Sequence, residues 1–265
     1  MVSDTTKNLQ NLFGLNGRNA LISGGSKGIG KAIAVRFAEA GANVGIIGRD
    51  LEGLTQTRDL VASMGRECIV VKADLAHSRG IDEAAQIAMR YSLNWHILVN
   101  NAGIAKQAPL LEMQEEDWDS VQHVNLKATF LLSQKIVPAM IRNGGGKIIN
   151  ISSLGSFFGT PGLGAYAVSK SGINQITRTM ASEWGPKNIQ ANAICPTIIL
   201  TEMARKIWRT DQDKEMYDQL VKKIPAGRFG TTDDVANLAL FLAGQASNYI
   251  NGTSIPLDGG KLALP

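Results

Sequence analysis

The stretch that decides the fold is Ser23-Gly24-Gly25-Ser26-Lys27-Gly28-Ile29-Gly30, which joins a short apolar run to a helical pattern. Its glycines follow the spacing G-x-x-x-G-x-G, and glycine lets a backbone turn tightly and approach a ligand closely. A helix that begins here presents free N–H groups and a partial positive charge, which suit a phosphate. The stretch therefore predicts a phosphate-binding loop, although a glycine-rich turn without a ligand has the same composition. The residues expected to contact phosphate are Gly24, Ser26, Lys27, Gly28, Ile29 and Gly30.

Short apolar runs alternate with longer helical patterns along the chain. Because the runs are apolar at nearly every position, they indicate strands buried on both faces of a parallel sheet. The predicted strands are Asn19–Ser23, Asn43–Ile47, Cys68–Val71, His96–Val99, Lys147–Ile151, Ile189–Ile194 and Thr253–Pro256. The predicted helices are Gly30–Ala40, Leu51–Met64, Ile81–Tyr91, Gln114–Ile141, Ala165–Trp184 and one that starts at Thr231 and runs through Leu242. This alternation predicts an α/β, doubly wound Rossmann fold of about seven parallel strands with helices on both faces.

Length and composition are typical of one compact domain. The chain has 265 residues, of which 44% are apolar, 19% are charged and 28 are glycine. We expect a single domain over residues 1–265, with an N-terminal extension at 1–15 and a substrate-loop insertion at about 197–225. The net charge is only +4 and the basic residues are scattered along the chain, so the charge favours neither nucleic acid nor a membrane as partner. Two isolated cysteines predict no metal site, and an N-terminus without an apolar segment predicts a cytoplasmic protein.

The end of the second predicted strand indicates which dinucleotide the loop binds. An acidic residue at this point accepts hydrogen bonds from the ribose 2′-hydroxyl of NAD, whereas a basic residue accommodates the 2′-phosphate of NADP. This chain has Gly48-Arg49 there, and Asp50 follows two residues too late. Arg49 can grip a phosphate with two hydrogen bonds, and Lys27 adds a second positive charge. We therefore predict NADP(H), with NAD(H) as the alternative if both cations are only solvated surface charges.

Tyr166-Ala167-Val168-Ser169-Lys170 opens a predicted helix. Residues four apart share one helix face, so the phenol of Tyr166 and the ammonium of Lys170 lie one turn apart. A nearby ammonium favours the phenolate and lowers the pKa of a tyrosine, which makes it usable for proton transfer. A hydroxyl at Ser153, after the fifth strand, can hydrogen-bond a carbonyl oxygen. Taken alone the Y-x-x-x-K pattern is weak, because many ordinary helix surfaces carry it.

Four motifs in order make the chain resemble the short-chain dehydrogenase/reductase family. They are the glycine loop, Asn100-Asn101-Ala102-Gly103 after the fourth strand, Ser153 thirteen residues before Tyr166, and Tyr166-x-x-x-Lys170. Asn125, within His123-Val124-Asn125-Leu126, matches the helix asparagine of that family. The resemblance covers roughly residues 15 to 260.

The resemblance implies a role for each of four catalytic residues. Tyr166 would be the general acid in carbonyl reduction and the base in alcohol oxidation. Lys170 would hold the nicotinamide ribose and bias the phenol. Ser153 would orient and polarise the substrate oxygen, and Asn125 would hold a water that links Lys170 to solvent.

The resemblance also implies the remaining contacts with the cofactor. Asp74 and Leu75 would meet the adenine, and the backbone of Asn101, Ala102 and Gly103 would line the adenosine side. Pro196, Ile199 and Thr201 fit a nicotinamide carboxamide site, whereas Thr197 replaces a glycine usual in the family and could narrow the pocket. The cofactor set is completed by Arg49, Tyr166 and Lys170.

The sequence leaves the substrate open. The implied lining is Ser153, Leu154, Phe157, Leu163, Tyr166 and Thr197, with Ser156 and the segment Glu202–Pro225. The leading hypothesis is an NADP(H)-dependent oxidoreductase that transfers hydride between nicotinamide and a ketone or secondary alcohol. The alternatives are an NAD(H)-dependent sugar-acid or polyol dehydrogenase, and a nucleotide-binding sensor without turnover. The long helices Gln114–Ile141 and Ala165–Trp184 resemble dimer faces of the family, so a homotetramer is expected.

Overall fold

A seven-stranded parallel sheet forms the centre of the molecule. The computed structural model describes residues 9, 11–92, 94–201 and 211–264. The strands are β1 Asn19–Ser23, β2 Asn43–Gly48, β3 Cys68–Lys72, β4 Ile97–Asn100, β5 Gly146–Ile151, β6 Ile189–Pro196 and β9 Ser254–Leu257. Their order in the sheet is β3-β2-β1-β4-β5-β6-β9, and every neighbouring pair is parallel. A separate parallel pair consists of β7 Ile199–Leu200 and β8 Gly230–Thr231. The predicted doubly wound Rossmann fold is confirmed.

Helices connect the strands and cover both faces of the sheet. They are α1 Gly28–Glu39, α2 Leu51–Ser63, α3 Ser78–Tyr91, α4 Glu115–Gln122, α5 Ala128–Arg142, α6 Gly164–Trp184, α7 Asp211–Val221 and α8 Thr232–Ala243. The Thr231 hydroxyl and the Asp234 carboxylate cap α8 reciprocally.

Strands β1 to β6 contribute side chains to two apolar layers. In β1, Ile22 packs with Ile33 and Phe37 of α1 on one face, whereas Leu21 packs with Leu132 of α5 on the other. Successive residues of a strand point to opposite faces, so both faces must be apolar when helices cover both. The near-continuous apolar runs in the sequence follow from this arrangement.

The long helix predicted over Gln114–Ile141 contains a π-helical turn. Helical structure is continuous from Glu115 to Arg142, and its middle residues, His123–Lys127, form the π-helical turn between α4 and α5. Within this turn the Asn125 amide reaches the backbone of Ile104, a residue in the loop after β4. The π-helical turn directs the polar side chain of Asn125 into the protein. Such turns are frequent at functional sites.

The site lies where the strand order reverses. β1 has β2 on one side and β4 on the other, so the chain leaves the carboxyl ends of β1 and β4 in opposite directions. A crevice opens between such ends, and ligands bind there in doubly wound sheets. Of the predicted N-terminal extension, residues 1–8 and 10 lie outside the described residues, as do residues 202–210 of the predicted substrate loop. Within the described ranges, no helix is long and apolar enough to cross a membrane.

A buried lysine lies at the edge of the sheet formed by the amino ends of the strands, away from the crevice. Lys147, near the start of β5, is 8% exposed, and its ammonium donates a hydrogen bond to the Asn248 side chain at 2.8 Å. Among the described residues it forms no ion pair with a carboxylate. Burial, reinforced by the charge of Arg18, lowers the pKa of Lys147 to about 8.

Lys147→Met should stabilise the protein at pH 7 by on the order of 1 kcal/mol, because it removes a buried charge. The pKa of Lys147 is lower in the folded than in the unfolded state, so the unfolded chain binds more protons between pH 8 and about 10. The free energy of unfolding of the wild type should therefore rise across that window, and the variant should show a smaller rise. Urea unfolding at several pH values measures both effects. Lys187→Met, at an exposed lysine, is the control, and an unchanged pH slope in Lys147→Met would contradict the prediction.

Candidate active site

A cleft of about 1010 Å³ follows the carboxyl edge of the sheet. Of the residues predicted to bind the cofactor, all but Gly28 and Gly30 line this cleft. They are Gly24, Ser26, Lys27, Ile29, Arg49, Asp74, Leu75, Asn101, Ala102, Gly103, Tyr166, Lys170, Pro196, Ile199 and Thr201. Gly28 lines a neighbouring cavity of about 600 Å³, and Gly30 is buried beneath the loop. Residues far apart in the sequence thus share one continuous surface.

The glycine loop needs its glycines for two different reasons. Gly24 and Gly28 have φ values of +70° and +58°, which side-chain-bearing residues rarely adopt. A Cβ at Gly30 would collide with the Gly24 carbonyl oxygen. The first residue of α1 is Gly28, and Lys27 gives no side-chain cap to its N–H groups. No acidic side chain lies in the first turn of α1, so this helix end fits an anionic phosphate.

Polar side chains join the ends of β1 and β4. The Ser23 hydroxyl accepts hydrogen bonds from the backbone N–H groups of Asn101 and Ala102 at 3.0 and 3.1 Å. The Asn101 amide donates to the carbonyl oxygens of Ser23 and Gly24 at 3.0 and 3.1 Å. Sequence reasoning predicted that Asn101 lines the adenosine side through its backbone. Its side chain also holds the first turn of the glycine loop in place.

The Asn125 side chain forms three hydrogen bonds inside the protein. Its amide nitrogen donates to the Ile104 carbonyl and to the Ser169 hydroxyl, both at 2.9 Å, and its oxygen accepts from the Ile104 N–H at 2.8 Å. The side chain is 1% exposed. Asn125 therefore fixes the loop after β4 against the first turns of α6, and its predicted role in holding a water stays a prediction.

Ser153, Tyr166 and Lys170 meet at one end of the cleft. The Ser153 side chain lies close enough to that of Tyr166 to lower the pKa of its phenol. The Lys170 ammonium lies 5.6 Å from the centre of the Tyr166 ring and donates to the Ile151 carbonyl at 2.8 Å. β5 and the turn after it therefore position the serine, whereas the first two turns of α6 position the tyrosine and the lysine.

The predicted substrate residues divide into two groups. Ser153, Tyr166 and Thr197 line the cleft. Leu154 does not, because its side chain is 2% exposed and packs inside the protein. Leu163 and Phe157 lie outside the cleft as well, and the ring of Phe157 is 44% exposed. Of the segment Glu202–Pro225, residues 202–210 lie outside the described residues.

Comparisons with known proteins agree with this geometry. A family model described as enoyl-(acyl carrier protein) reductase matches residues 24–261. The 2-dehydro-3-deoxy-D-gluconate 5-dehydrogenase of Dickeya dadantii (strain 3937) is 39% identical, over 96% of this chain and 98% of its own. A crystal structure of a short-chain type dehydrogenase/reductase from Mycobacterium marinum is 31% identical, with a TM-score of 0.88, over 96% of this chain and 99% of its own. The chain belongs to the short-chain dehydrogenase/reductase family. It is an NAD(P)-dependent oxidoreductase that acts on CH–OH groups.

A second solved structure of this short-chain dehydrogenase/reductase family is informative about ligands. The gluconate 5-dehydrogenase of Burkholderia cenocepacia J2315, in complex with NADP and tartrate, is 34% identical, with a TM-score of 0.89. The match covers 97% of this chain and 100% of that chain. The two chains therefore share one architecture from end to end.

Burial dominates the electrostatics of the Tyr166 and Lys170 pair. It raises the pKa of Tyr166, and the nearby Ser153 side chain offsets only part of that effect. It lowers the pKa of Lys170 to about 8. The expectation that Lys170 lowers the pKa of Tyr166 is wrong for this structure, because the low-dielectric surroundings disfavour the charged form of both groups. Near pH 7 the phenol is protonated and able to donate.

Thr197 does not strain the backbone in place of the family's glycine. Among the described residues, Asn188 alone has a positive φ without being glycine. Thr197 also donates its backbone N–H to the Leu257 carbonyl at 3.1 Å, which ties the end of β6 to β9. The β-carbon of Thr197 therefore lines the cleft without placing the backbone in the left-handed region.

Sequence reasoning missed three charged residues of the cleft. Lys106, Glu116 and Asp117 line it, and the Lys106 ammonium pairs with the Asp117 carboxylate at 3.0 Å. The acidic run around Asp117 resembled an ordinary solvated helix start. Lys106 could have been found, because it lies three residues after Gly103 at the carboxyl edge of the sheet, where ligands bind.

Proposed function

We propose that the chain is an NADP(H)-preferring dehydrogenase that interconverts a ketone and a secondary alcohol on a small polar substrate. One observation carries this proposal: a single cleft has Ser153, Tyr166 and Lys170 at one end and the uncapped start of α1 at the other. A dinucleotide that spans this cleft would have its pyrophosphate at α1 and its nicotinamide beside Tyr166. When bound, the nicotinamide supplies the hydride donor or acceptor.

The residues of this chain would manage the proton and the orientation of the substrate. The Tyr166 hydroxyl would donate its proton to the carbonyl oxygen during reduction and take it back during oxidation. The Ser153 hydroxyl, held beside Tyr166, would hydrogen-bond the same oxygen. Lys170 would hold the nicotinamide ribose and stabilise the phenolate as it forms, and Asn125 would hold the water that connects Lys170 to solvent. Because burial raises the pKa of Tyr166, reduction should persist through neutral pH and oxidation should accelerate at alkaline pH.

Tyr166→Phe should lower turnover by at least about 100-fold, because it removes the proton donor and leaves the ring in place. Its dissociation constant for NADPH should stay close to that of the wild type, as measured by fluorescence titration. Steady-state oxidation of NADPH against a panel of ketones gives the rates. Tyr91→Phe, at a tyrosine that is 64% exposed, is the matched control.

Near wild-type turnover in Tyr166→Phe would refute the assigned mechanism. A wild-type protein that binds NADPH tightly but reduces no carbonyl of a broad panel would favour the nucleotide-binding sensor instead.

The charges at the adenosine end support a preference for NADP(H). Arg49 and Lys27 are exposed at the cleft, where a 2′-phosphate would lie. Asp50, the nearest acid to the ribose position in sequence, instead accepts the Gly53 N–H at 3.1 Å and so caps α2. One oxygen of the Asp50 carboxylate is thus committed to the helix, and the ribose position itself is occupied by Arg49 and not by an acidic residue.

Arg49→Ala should raise the dissociation constant for NADPH by about tenfold, because a charge-assisted hydrogen bond to phosphate is lost. The dissociation constant for NADH should change by less than about twofold, since the ribose hydroxyl carries no charge. Isothermal titration calorimetry with each cofactor, at the same ionic strength, measures both dissociation constants. Arg58→Ala, at an exposed arginine of α2 paired with Asp59, is the control. Unchanged NADPH binding in Arg49→Ala would favour the NAD(H) alternative.

Sugar acids and polyols are the substrates that we propose first. This extends to the chain what the names of its relatives state, a deoxygluconate in Dickeya dadantii and gluconate in Burkholderia cenocepacia. The polar walls near Tyr166, with Ser152, Ser153 and Lys106, suit a hydroxylated molecule. A panel of sugar acids, polyols and 3-oxoacyl thioesters, with NADPH formation or consumption as readout, separates these classes.

We also propose that the chain is one domain that assembles as a cytoplasmic homotetramer. Continuity of the sheet from β3 to β9 supports the single domain. Exposed apolar side chains on α5 and α6, Phe130 at 39% and Val168 at 49%, support contacts between copies along these helices. Light scattering of the purified protein tests the tetramer, and a monomer would refute it.

A further inference from the structure

An ion pair crosses the adenosine end of the cleft. The Arg49 guanidinium lies 3.7 Å from the Asp74 carboxylate, Nη1 to Oδ2. The backbone creates this proximity, because Gly48 of β2 is in register with Lys72 of β3. Ala73 then donates its N–H to the Gly48 carbonyl at 2.9 Å, so the two chains leave the sheet side by side.

The side chains of Arg49 and Asp74 differ in how freely they can move. Asp74 is fixed, because its second carboxylate oxygen accepts the Ala76 N–H at 2.9 Å. A Cβ on Gly80 would collide with the Asp74 carbonyl oxygen, so the first turn of α3 also packs closely on this residue. Arg49 projects from the end of β2 with a side chain that is 67% exposed, whereas that of Asp74 is 44% exposed. The Asp74 carboxylate is therefore fixed in position, whereas the Arg49 guanidinium can move to bind either this carboxylate or another anion.

The other charges at this end have different tasks. Asp50 caps α2. Lys27 faces the cleft, and in the described part of the chain it forms no ion pair. Asp74 is thus the carboxylate that competes with a bound phosphate for Arg49.

We propose that Arg49 is shared between Asp74 and the 2′-phosphate, and that Asp74 thereby limits the preference for NADP(H) and lets the chain also use NAD(H). This inference rests on the proposed function, since it assumes that the 2′-phosphate binds at Arg49. With NAD(H) bound, the pair stays closed, so the guanidinium is not left without an anion. With NADP(H) bound, the 2′-phosphate must displace Asp74 from Arg49. The phosphate is also repelled by the negative charge of the fixed Asp74 carboxylate.

The effect of Asp74 on selectivity is modest because both partners are partly exposed. Exposed ion pairs contribute little, and salt screens them. A contact of Asp74 with the adenine would act on both cofactors equally, because their adenine rings are identical. The ratio of the two dissociation constants therefore isolates the competition for Arg49 from the adenine contact.

Asp74→Asn is the decisive variant, because its side-chain oxygen can still accept the Ala76 N–H. The ratio of the NADH to the NADPH dissociation constant should rise by about two- to fivefold relative to wild type. In the Arg49→Ala background the same substitution should change the ratio less, and in 1 M NaCl the effect should nearly vanish. Asp59→Asn removes a negative charge from the exposed pair Arg58–Asp59 on α2 and should leave the ratio unchanged.

An unchanged ratio in Asp74→Asn, or an effect that persists in 1 M NaCl, would overturn the sharing of Arg49. If Arg49→Ala weakens NADPH binding while the Asp74→Asn ratio is unchanged, this inference alone fails. If Arg49→Ala leaves NADPH binding intact, the preference for NADP(H) fails with it. Thermal melts of each variant with and without cofactor confirm that the compared proteins are folded.

Discussion

The hydrogen bonds of the Ser23 hydroxyl and the Asn101 amide hold together the two strand ends between which the whole site is built. Ser23 closes β1 and Asn101 follows β4, and four bonds of 3.0 to 3.1 Å join them. At this point the chain turns away in opposite directions, and these side chains bridge the mouth of the crevice. The same amide satisfies the Gly24 carbonyl, and Gly24 in turn packs against Gly30. The position of the α1 N-terminus, and with it the phosphate end of the cleft, depends on this bridge.

The catalytic end is supported by a second set of buried amides. The Asn100 amide donates to the Asn150 side chain at 2.8 Å, and Asn150 donates to the Thr177 hydroxyl at 2.8 Å. These bonds connect β4, β5 and α6, the helix that carries Tyr166. Apolar layers alone tolerate small shifts, whereas directional bonds in a low-dielectric interior fix one register between elements. The relative positions of Ser153, after β5, and Tyr166, on α6, are therefore fixed by buried residues that do not line the cleft.

The fold could be predicted from the sequence because its causes are local. Burial of β1 on both faces shows directly in Asn19–Ser23, and the glycine spacing identifies the turn after it. Features that depend on distant partners could not be predicted. The π-helical turn exists where Asn125 meets Ile104, twenty-one positions away. Leu154 was expected at the substrate, yet whether its side chain faces the cleft or the interior depends on how the turn after β5 packs. The pKa of Tyr166 likewise depends on burial that no spacing reveals.

Burial of Tyr166 and Lys170 places their charges where catalysis would need them. In the resting cleft the low-dielectric surroundings favour a neutral phenol, and they hold the pKa of Lys170 near 8. An ammonium that already stabilised a phenolate at rest would leave Tyr166 with no proton to give. In the proposed reduction, negative charge appears on the Tyr166 oxygen only as its proton leaves, and an ammonium at Lys170 then interacts with it across a poorly screened distance. The attraction is therefore larger in the transition state than in the ground state, and only such a difference accelerates the step.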